Sequence, residues 1–270
     1  MGKLRINRNL LVALFMISSA HADNGEALQQ PKGVLFQGVR VFSGKSTGLS
    51  GPTDVLVEGN KITKIGTGIT LPEGCVAISG QGKTLMPGLI DAHAHVMFAH
   101  LTQAQLLTAD VGFINLAAAK AAEAFLMMGY TSIRDVGGPV FGVKRAIDLG
   151  LYPGPRIYPS GAFVSQTGGH GDFRLPNELP ASPTDYSSTE RTNGTAIADG
   201  VDMVRKRVRE QLALGATQIK LMAGGGVSSA YDPLDVTQYS LDELKAAVGA
   251  AEDWGTYVTL SMANWRMRQP

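Results

Sequence analysis

Cysteine is almost missing from this chain. Cys75 is the single one in 270 residues, so no disulfide can form within it. That thiol is either reactive or a small packing residue, and free cysteine behaves mostly as the latter. Charge of one sign is also missing. Charged residues make up 17% of the chain and the formal net charge is +1, which gives no reason to expect a polyanionic partner such as nucleic acid. Long apolar runs are absent too: Leu10 to Ile17 (LLVALFMI) falls far short of the ~20 residues that cross a bilayer. No membrane span is therefore expected once a leader is removed. Histidine is scarce, with five in all and none after His170.

Apolar residues and glycine are plentiful. Hydrophobic residues account for 44%, enough for a sizeable core, and 33 glycines suit a chain of many turns and backbone-lined clefts. The N-terminus has the layout of a secretory signal: Lys3, Arg5 and Arg8, then the apolar run, then Ala20-His21-Ala22. Residues 1–22 are expected to be a signal peptide cleaved after Ala22, which places the protein in the periplasm or outside the cell. His21 falls in that leader. A buried N-terminal helix is the competing reading.

Two patterns follow. Residues 33–87 contain short alternating stretches, GVLFQGVRVF, DVLVEG, KITKIG, CVAISG and KTLMPG, separated by Gly-Asn and Gly-Lys turns. They predict a small antiparallel sheet, part of a β-sandwich segment. From residue 88 the rhythm becomes strand, loop, helix. Strands are expected at 89–92, 131–135, 156–160, 217–222 and 256–260. The Ala-rich stretch 112–128 predicts a helix, and Val201, Val204, Val208 and Leu212 share one face of another, opposite Arg205, Lys206 and Arg209. Ser240 and Glu243 have capping-box spacing at the start of a third. Repeated βα units predict an α/β fold with a parallel sheet. A closed eight-stranded barrel takes ~250 residues, more than 88–270 supplies, so a partial barrel of about five strands and an open sheet both fit. The stretch from Val164 to about Ala198 reads as one long loop, a lid or binding loop. Within it Asn193-Gly194-Thr195 fits a glycosylation pattern or plain loop polarity.

The strongest chemical signal is Pro87-Gly88-Leu89-Ile90-Asp91-Ala92-His93-Ala94-His95. In a strand, residues two apart point the same way, so His93 and His95 project together and could share one metal ion. Lys220 sits inside the apolar run Gln218–Met222, where an ammonium is costly; it is either a functional neutral amine or a lysine whose head reaches solvent. Arg134 and Asp135 are read as a structural pair, and His100 is given no role.

These segments resemble the amidohydrolase superfamily, in which PG[LF][IV]DxHxH ends the first barrel strand, and within it the imidazolonepropionase-like members and the Xaa-Pro and Xaa-Arg dipeptidases. TSIRDVGG (131–138), TGGHGD (167–172) and QIKLMAGGG (218–226) carry the same likeness, which runs from about Gly33 to Val258. The resemblance implies a partial (β/α)8 TIM-type barrel over residues 88–260, preceded by the small β-sandwich segment over 33–87. It implies a metal-dependent hydrolase that cleaves a C–N amide bond in a small molecule such as a cyclic amide or dipeptide. It implies two divalent ions, zinc by preference, held by His93, His95 and a carbamylated Lys220 that bridges the metals, with His170 and Tyr231 as substrate contacts. A homo-oligomer is also within its scope. The competing reading of His170 is a surface histidine, and of Tyr231 a packing residue.

One departure is plain. Members of that superfamily draw further histidine ligands from strands five and six, and Ser261 stands where the strand-five histidine is expected. Residues 261–270 resemble nothing in the superfamily. The chain is therefore expected to be incomplete and to turn over little substrate. A non-catalytic ligand- or partner-binding remnant is the second reading, and an open α/β nucleotide- or sugar-binding protein the third.

Overall fold

A computed structural model describes residues 31–45, 47–178, 185–229 and 231–261. The leader at 1–22, with His21, and the tail from residue 262 lie outside the described residues. Compactness divides the chain into two units, residues 1–89 with 125–131, and residues 90–124 with 132–270.

In the first unit, strands β1 (Gly33–Val41), β2 (Thr53–Glu58), β3 (Lys61–Gly66), β4 (Cys75–Ser79) and β5 (Thr84–Leu85) form one sheet. The Gly-Asn turn is there, between β2 and β3. Gly59 turns β2 into β3 with a φ of 56°, a conformation that glycine adopts without a Cβ penalty. The sheet is not purely antiparallel, however. β1 runs antiparallel to β2, but β4 and β5 lie parallel to β1. Alternation reveals that a strand exists; its direction is set by the loop that brings it back, and that loop carries no periodic signal. A register shift between Phe36 and Val39 bends β1, and the Asp54 carboxylate secures it by accepting the Gly38 N–H at 2.9 Å. Val39, Val55 and Val57 make the core of this sheet, with Phe36, Val41, Ile62 and Leu85 packed on it.

The second unit is built from parallel strands and helices. β6 (Leu89–Ala94), β7 (Tyr130–Asp135) and β8 (Arg156–Pro159) lie side by side in that order. A second sheet has the order β10 (Thr195–Ile197), β9 (Phe163–Ser165), β11 (Ile219–Met222), β12 (Val258–Ser261), all in parallel register. Gln218, fully buried, links the two sheets: its Nε2 donates to the carbonyls of Asp135 at 3.1 Å and Tyr158 at 3.0 Å. The helices are α1 (Gln103–Thr108), α2 (Val111–Met127), α3 (Phe141–Asp148), α4 (Ser188–Arg191), α5 (Val201–Ala213) and α6 (Leu241–Glu252). α5 buries Val204, Val208 and Leu212, and α6 buries Ala246, Ala247, Ala250 and Ala251, against Val164, Ile219 and Leu221 of the second sheet. Ser240 caps α6 in the expected box with Glu243. No helix among the described residues is long and apolar enough to cross a membrane.

The stretch from Val164 to Ala198 is not one open loop. It holds most of β9, a 3-10 turn at Pro176–Glu178, α4 and β10. Three-residue strands are too short to show a period of two, so nothing in the sequence marked them. The glycosylation pattern is internal structure: the Asn193 amide exchanges two 3.0 Å hydrogen bonds with the Gln211 amide, and Thr195 is fully buried.

Candidate metal centre

His93 lies near the end of β6 and His95 one residue beyond it. The strand period puts both rings on one side, 5.3 Å apart between centroids and edge to face. The backbone around them is fixed at three points. Asp91 accepts the His93 N–H at 2.9 Å, Asp135 accepts the Val96 N–H at 2.7 Å, and the Ala94 carbonyl accepts the Val136 N–H at 2.9 Å. The His95 ring stacks on Phe98 at 5.8 Å and meets Phe163 edge-on at 6.5 Å. Gly137 leaves room for this arrangement, since a Cβ there would strike the Phe163 ring.

Burial, then the charges of His93 and Lys220, bring the His95 imidazolium down to a pKa of about 4. Burial, then Lys220 and Arg134, also hold His93 below the ordinary histidine value. Both rings are therefore neutral near neutral pH, the form that ligates a metal. The Nδ1 of His95 is buried beside the Gly137 backbone and makes no hydrogen bond of ordinary geometry among the described residues. A buried polar atom left so is costly in a folded protein and points to a missing ligand.

Lys220 is the second element. Along β11, Ile219 and Leu221 enter the core under α5 and α6, so Lys220 and Met222 face the opposite side. Lys220 is only 1% exposed, and no carboxylate pairs with it among the described residues. Burial first, and the Arg134 charge second, lower its pKa to about 8. Its charge is felt by His93, His95 and His170 alike, so the amine and the three imidazoles share one neighbourhood. Next to β11, Thr259 is in register with Lys220 and Ser261 with Met222. Ser261 thus stands on the same face as the lysine. A hydroxyl occupies the position for which the resemblance implies an imidazole.

Arg134 and Asp135 do not pair. As strand neighbours they point to opposite faces. Arg134 donates its Nε to the Ala92 carbonyl at 2.7 Å, while Asp135, fully buried, accepts the backbone N–H groups of Val96 and Gly137. Burial raises the Asp135 carboxyl to about 7 against the pull of those two bonds.

His170 is part-buried and centred in a polar network. Its backbone N–H goes to Gln238 Oε1 at 3.0 Å, its Nδ1 lies 2.9 Å from Ser229 Oγ, and Asp232 Oδ2 is 3.7 Å away. A Cβ on Gly226 would overlap the His170 ring. Tyr231, 45% exposed, donates its hydroxyl to the Arg174 carbonyl at 2.7 Å, and Arg174 in turn pairs with buried Asp172. Ser229, Asp232 and Gln238 went unnoticed in the sequence. Their only signal was the Asp232-Pro233 turn, because the network joins residues about sixty positions apart. Among the described residues no group of three or more His, Cys, Asp or Glu side chains could hold a metal ion. The candidate donor set is two imidazoles and an amine.

The amidohydrolase family model matches residues 84–266, most of the chain. The chain belongs to the amidohydrolase family. Among curated amidohydrolase relatives, ochratoxinase of Aspergillus niger is 40% identical over 180 residues, covering 62% of this chain and 36% of that protein. A prolidase solved with N-methylphosphonate-L-proline superposes with a TM-score of 0.75 at 39% identity, covering 85% of this chain and 56% of the other. A Xaa-Pro dipeptidase with methionine in its active site superposes with a TM-score of 0.69 at 27% identity, again covering 85% of this chain and 56% of the other. This chain thus spans about a third of the curated relative and about half of the solved ones. The neighbours agree with an α/β fold of parallel sheets and with a hydrolase.

Proposed function

We propose that this amidohydrolase family member is a metal-dependent hydrolase of C–N amide bonds in small molecules, with dipeptide-like compounds as the substrate class. The similarity to prolidase and Xaa-Pro dipeptidase supports the substrate class. The observation that carries the reading is Lys220: a lysine 1% exposed, with no carboxylate partner among the described residues, on the side of β11 that couples to His93 and His95. A structural lysine would gain nothing from that position, and apolar residues of similar size are cheaper there. A lysine whose amine is neutral in part at neutral pH can add CO2 and release a proton, which turns it into an anionic carbamate, an oxygen ligand. That ligand and the two neutral imidazoles suit a divalent ion such as zinc.

In this reading His93, His95 and Lys220 hold the metal, and His170 and Tyr231 contact the substrate. A bound divalent ion supplies a Lewis acid for the amide carbonyl and lowers the pKa of water. The chain's own contributions are separate from that. Phe98 and Phe163 exclude water from the His95 ring, Asp135 fixes the backbone after it, and Met222 walls the site beside Lys220. We also read the strands β6, β7, β8, β11 and β12 as part of a (β/α)8 barrel, with the sheet at 33–87 as part of a small sandwich. The basic start and apolar run before residue 22 support export. With Ser261 on the site face of β12, the 270-residue chain is expected to bind metal but to turn over substrate weakly.

Zinc titration of the purified metal-free chain tests this reading, followed by an assay of dipeptide hydrolysis. Saturable zinc uptake that His93→Ala abolishes is the expected result. Zinc uptake unchanged by both His93→Ala and Lys220→Ala overturns the assignment, and brisk hydrolysis by the chain overturns the expectation of weak turnover.

A further inference from the structure

The Asp232 side chain is buried, 1% exposed, and its nearest cationic candidate among the described residues is the His170 ring at 3.7 Å. Its Oδ2 accepts the Gly226 N–H at 3.1 Å and a Gln238 Nε2–H at 3.1 Å, and its Oδ1 is bonded to the Ser229 hydroxyl. A carboxylate can only accept, so the single Ser229 proton points at Asp232. The other oxygen beside Ser229 Oγ is the Gly226 carbonyl at 3.2 Å, which is also an acceptor. The serine oxygen therefore has only lone pairs left for His170 Nδ1, 2.9 Å away. For that contact to be a hydrogen bond, the ring must donate, and the proton sits on Nδ1. Burial keeps the imidazole below its ordinary pKa, and a neutral ring protonated on Nδ1 has a bare Nε2.

We propose that Asp232 and Ser229 are positioning residues that hold His170 in its Nδ1–H form, so that a proton-free Nε2 faces the substrate. The functional half of this inference rests on the reading of His170 as a substrate contact. The rest of the network holds the same geometry. Gln238, fully buried, accepts the His170 backbone N–H through Oε1 and donates to Asp232 through Nε2, so one amide spans both ends of the relay. Gly226 lets backbone lie against the ring where any Cβ would overlap it. A bare Nε2 accepts a hydrogen bond from a substrate N–H directly. It meets a carboxylate only after taking up a proton from solvent, and Asp232 then supplies the compensating charge.

The tautomer can be read in the metal-free 270-residue protein, labelled with 15N-histidine, by long-range proton–nitrogen correlation near neutral pH. The His170 signals are assigned by their loss in His170→Gln. We expect Nδ1–H in the unsubstituted protein and in Ser229→Thr, which keeps the hydroxyl, and a shift to Nε2–H in Ser229→Ala. Asp232→Asn should shift the ring in the same direction. An Nε2–H ring in the unsubstituted protein overturns the proposal, as does an Nδ1–H ring that survives both Ser229→Ala and Asp232→Asn. If a variant does not fold, the unsubstituted protein decides alone. Zinc uptake by the same samples keeps the two readings apart. No uptake with Nδ1–H present overturns the metal-dependent reading and leaves the relay supported, whereas uptake with Nε2–H overturns the relay alone.

Discussion

Burying an amine without a counter-ion costs stability, and Lys220, which has no carboxylate partner among the described residues, bears that cost. Its pKa falls from 10.5 to about 8, which at 1.36 kcal/mol per unit places the penalty on the order of a few kcal/mol at neutral pH. Methionine has a similar length and no charge. Lys220→Met should therefore stabilise the metal-free protein by about 1–3 kcal/mol in urea unfolding while removing zinc uptake. A destabilised variant would mean that Lys220 has an anionic partner in solution. His95 shows the same conflict in milder form, with an imidazole packed between Phe98 and Phe163 and a buried Nδ1 that lacks a well-formed hydrogen bond among the described residues. Residues that oppose local stability in this way tend to mark function. At this scale the sequence was readable because the chemistry sat in consecutive residues: the HxH spacing and a lysine inside an apolar run need no knowledge of the fold. Ser229, Asp232 and Gln238 were not readable, since each is an ordinary polar loop residue until tertiary structure brings His170 among them.

At the scale of elements, α6 offers the cleanest local test. Ser240 Oγ accepts the Glu243 N–H, and Glu243 answers at the Ser240 N–H at 2.7 Å. The same carboxylate also accepts the Gly200 N–H at 2.7 Å, at the start of α5. Loss of an N-cap typically costs ~1 kcal/mol, and Ser240→Ala should cost about that, measured by urea unfolding. Because α6 covers the back of β11, the same variant should leave zinc affinity within about twofold if the ligand positions are set by the strand rather than the helix. The five strands expected after residue 88 and the long helices were legible from period and capping signals, to within one or two residues at most ends. β9 and β10 were not, and the direction of β4 was not. In each case a three-residue strand or a loop of irregular length left the outcome to long-range pairing.

Across the whole molecule, opposing titrations should shape the pH dependence of stability. His95 is depressed from 6.5 to about 4, so the stability it preserves is complete above pH 6.5 and is lost as pH falls towards 4. Asp135 is raised from 3.8 to about 7, so its contribution is complete below pH 3.8 and is lost as pH rises towards 7. The two run against each other over the same window, and a shallow acid limb is expected for the metal-free protein. Asp135→Asn removes one side of the balance, so its stability should climb steadily between about pH 4 and 6.5. Lys220 adds a rise from about pH 8 to 10.5, which Lys220→Met should abolish. Urea unfolding across a pH series with chelator present checks all three limbs. An acid limb of equal slope in Asp135→Asn and the unsubstituted protein would show that the carboxyl is not buried as described.

By itself, the order of residues determined the longer helices and all the strands but β9 and β10, where α6 begins, and that His93, His95 and Lys220 are out of place by the ordinary rules of burial. Those are local matters, decided by side-chain period, backbone hydrogen-bond competition and desolvation. Only the tertiary structure decided that Lys220 shares a neighbourhood with the histidines, that Arg134 and Asp135 part company, that β4 and β5 run parallel to β1, and that His170 lies against a half-buried serine and a carboxylate whose side chain is buried. Contacts across tens of residues depend on how sheets register and loops close, and no local preference encodes them.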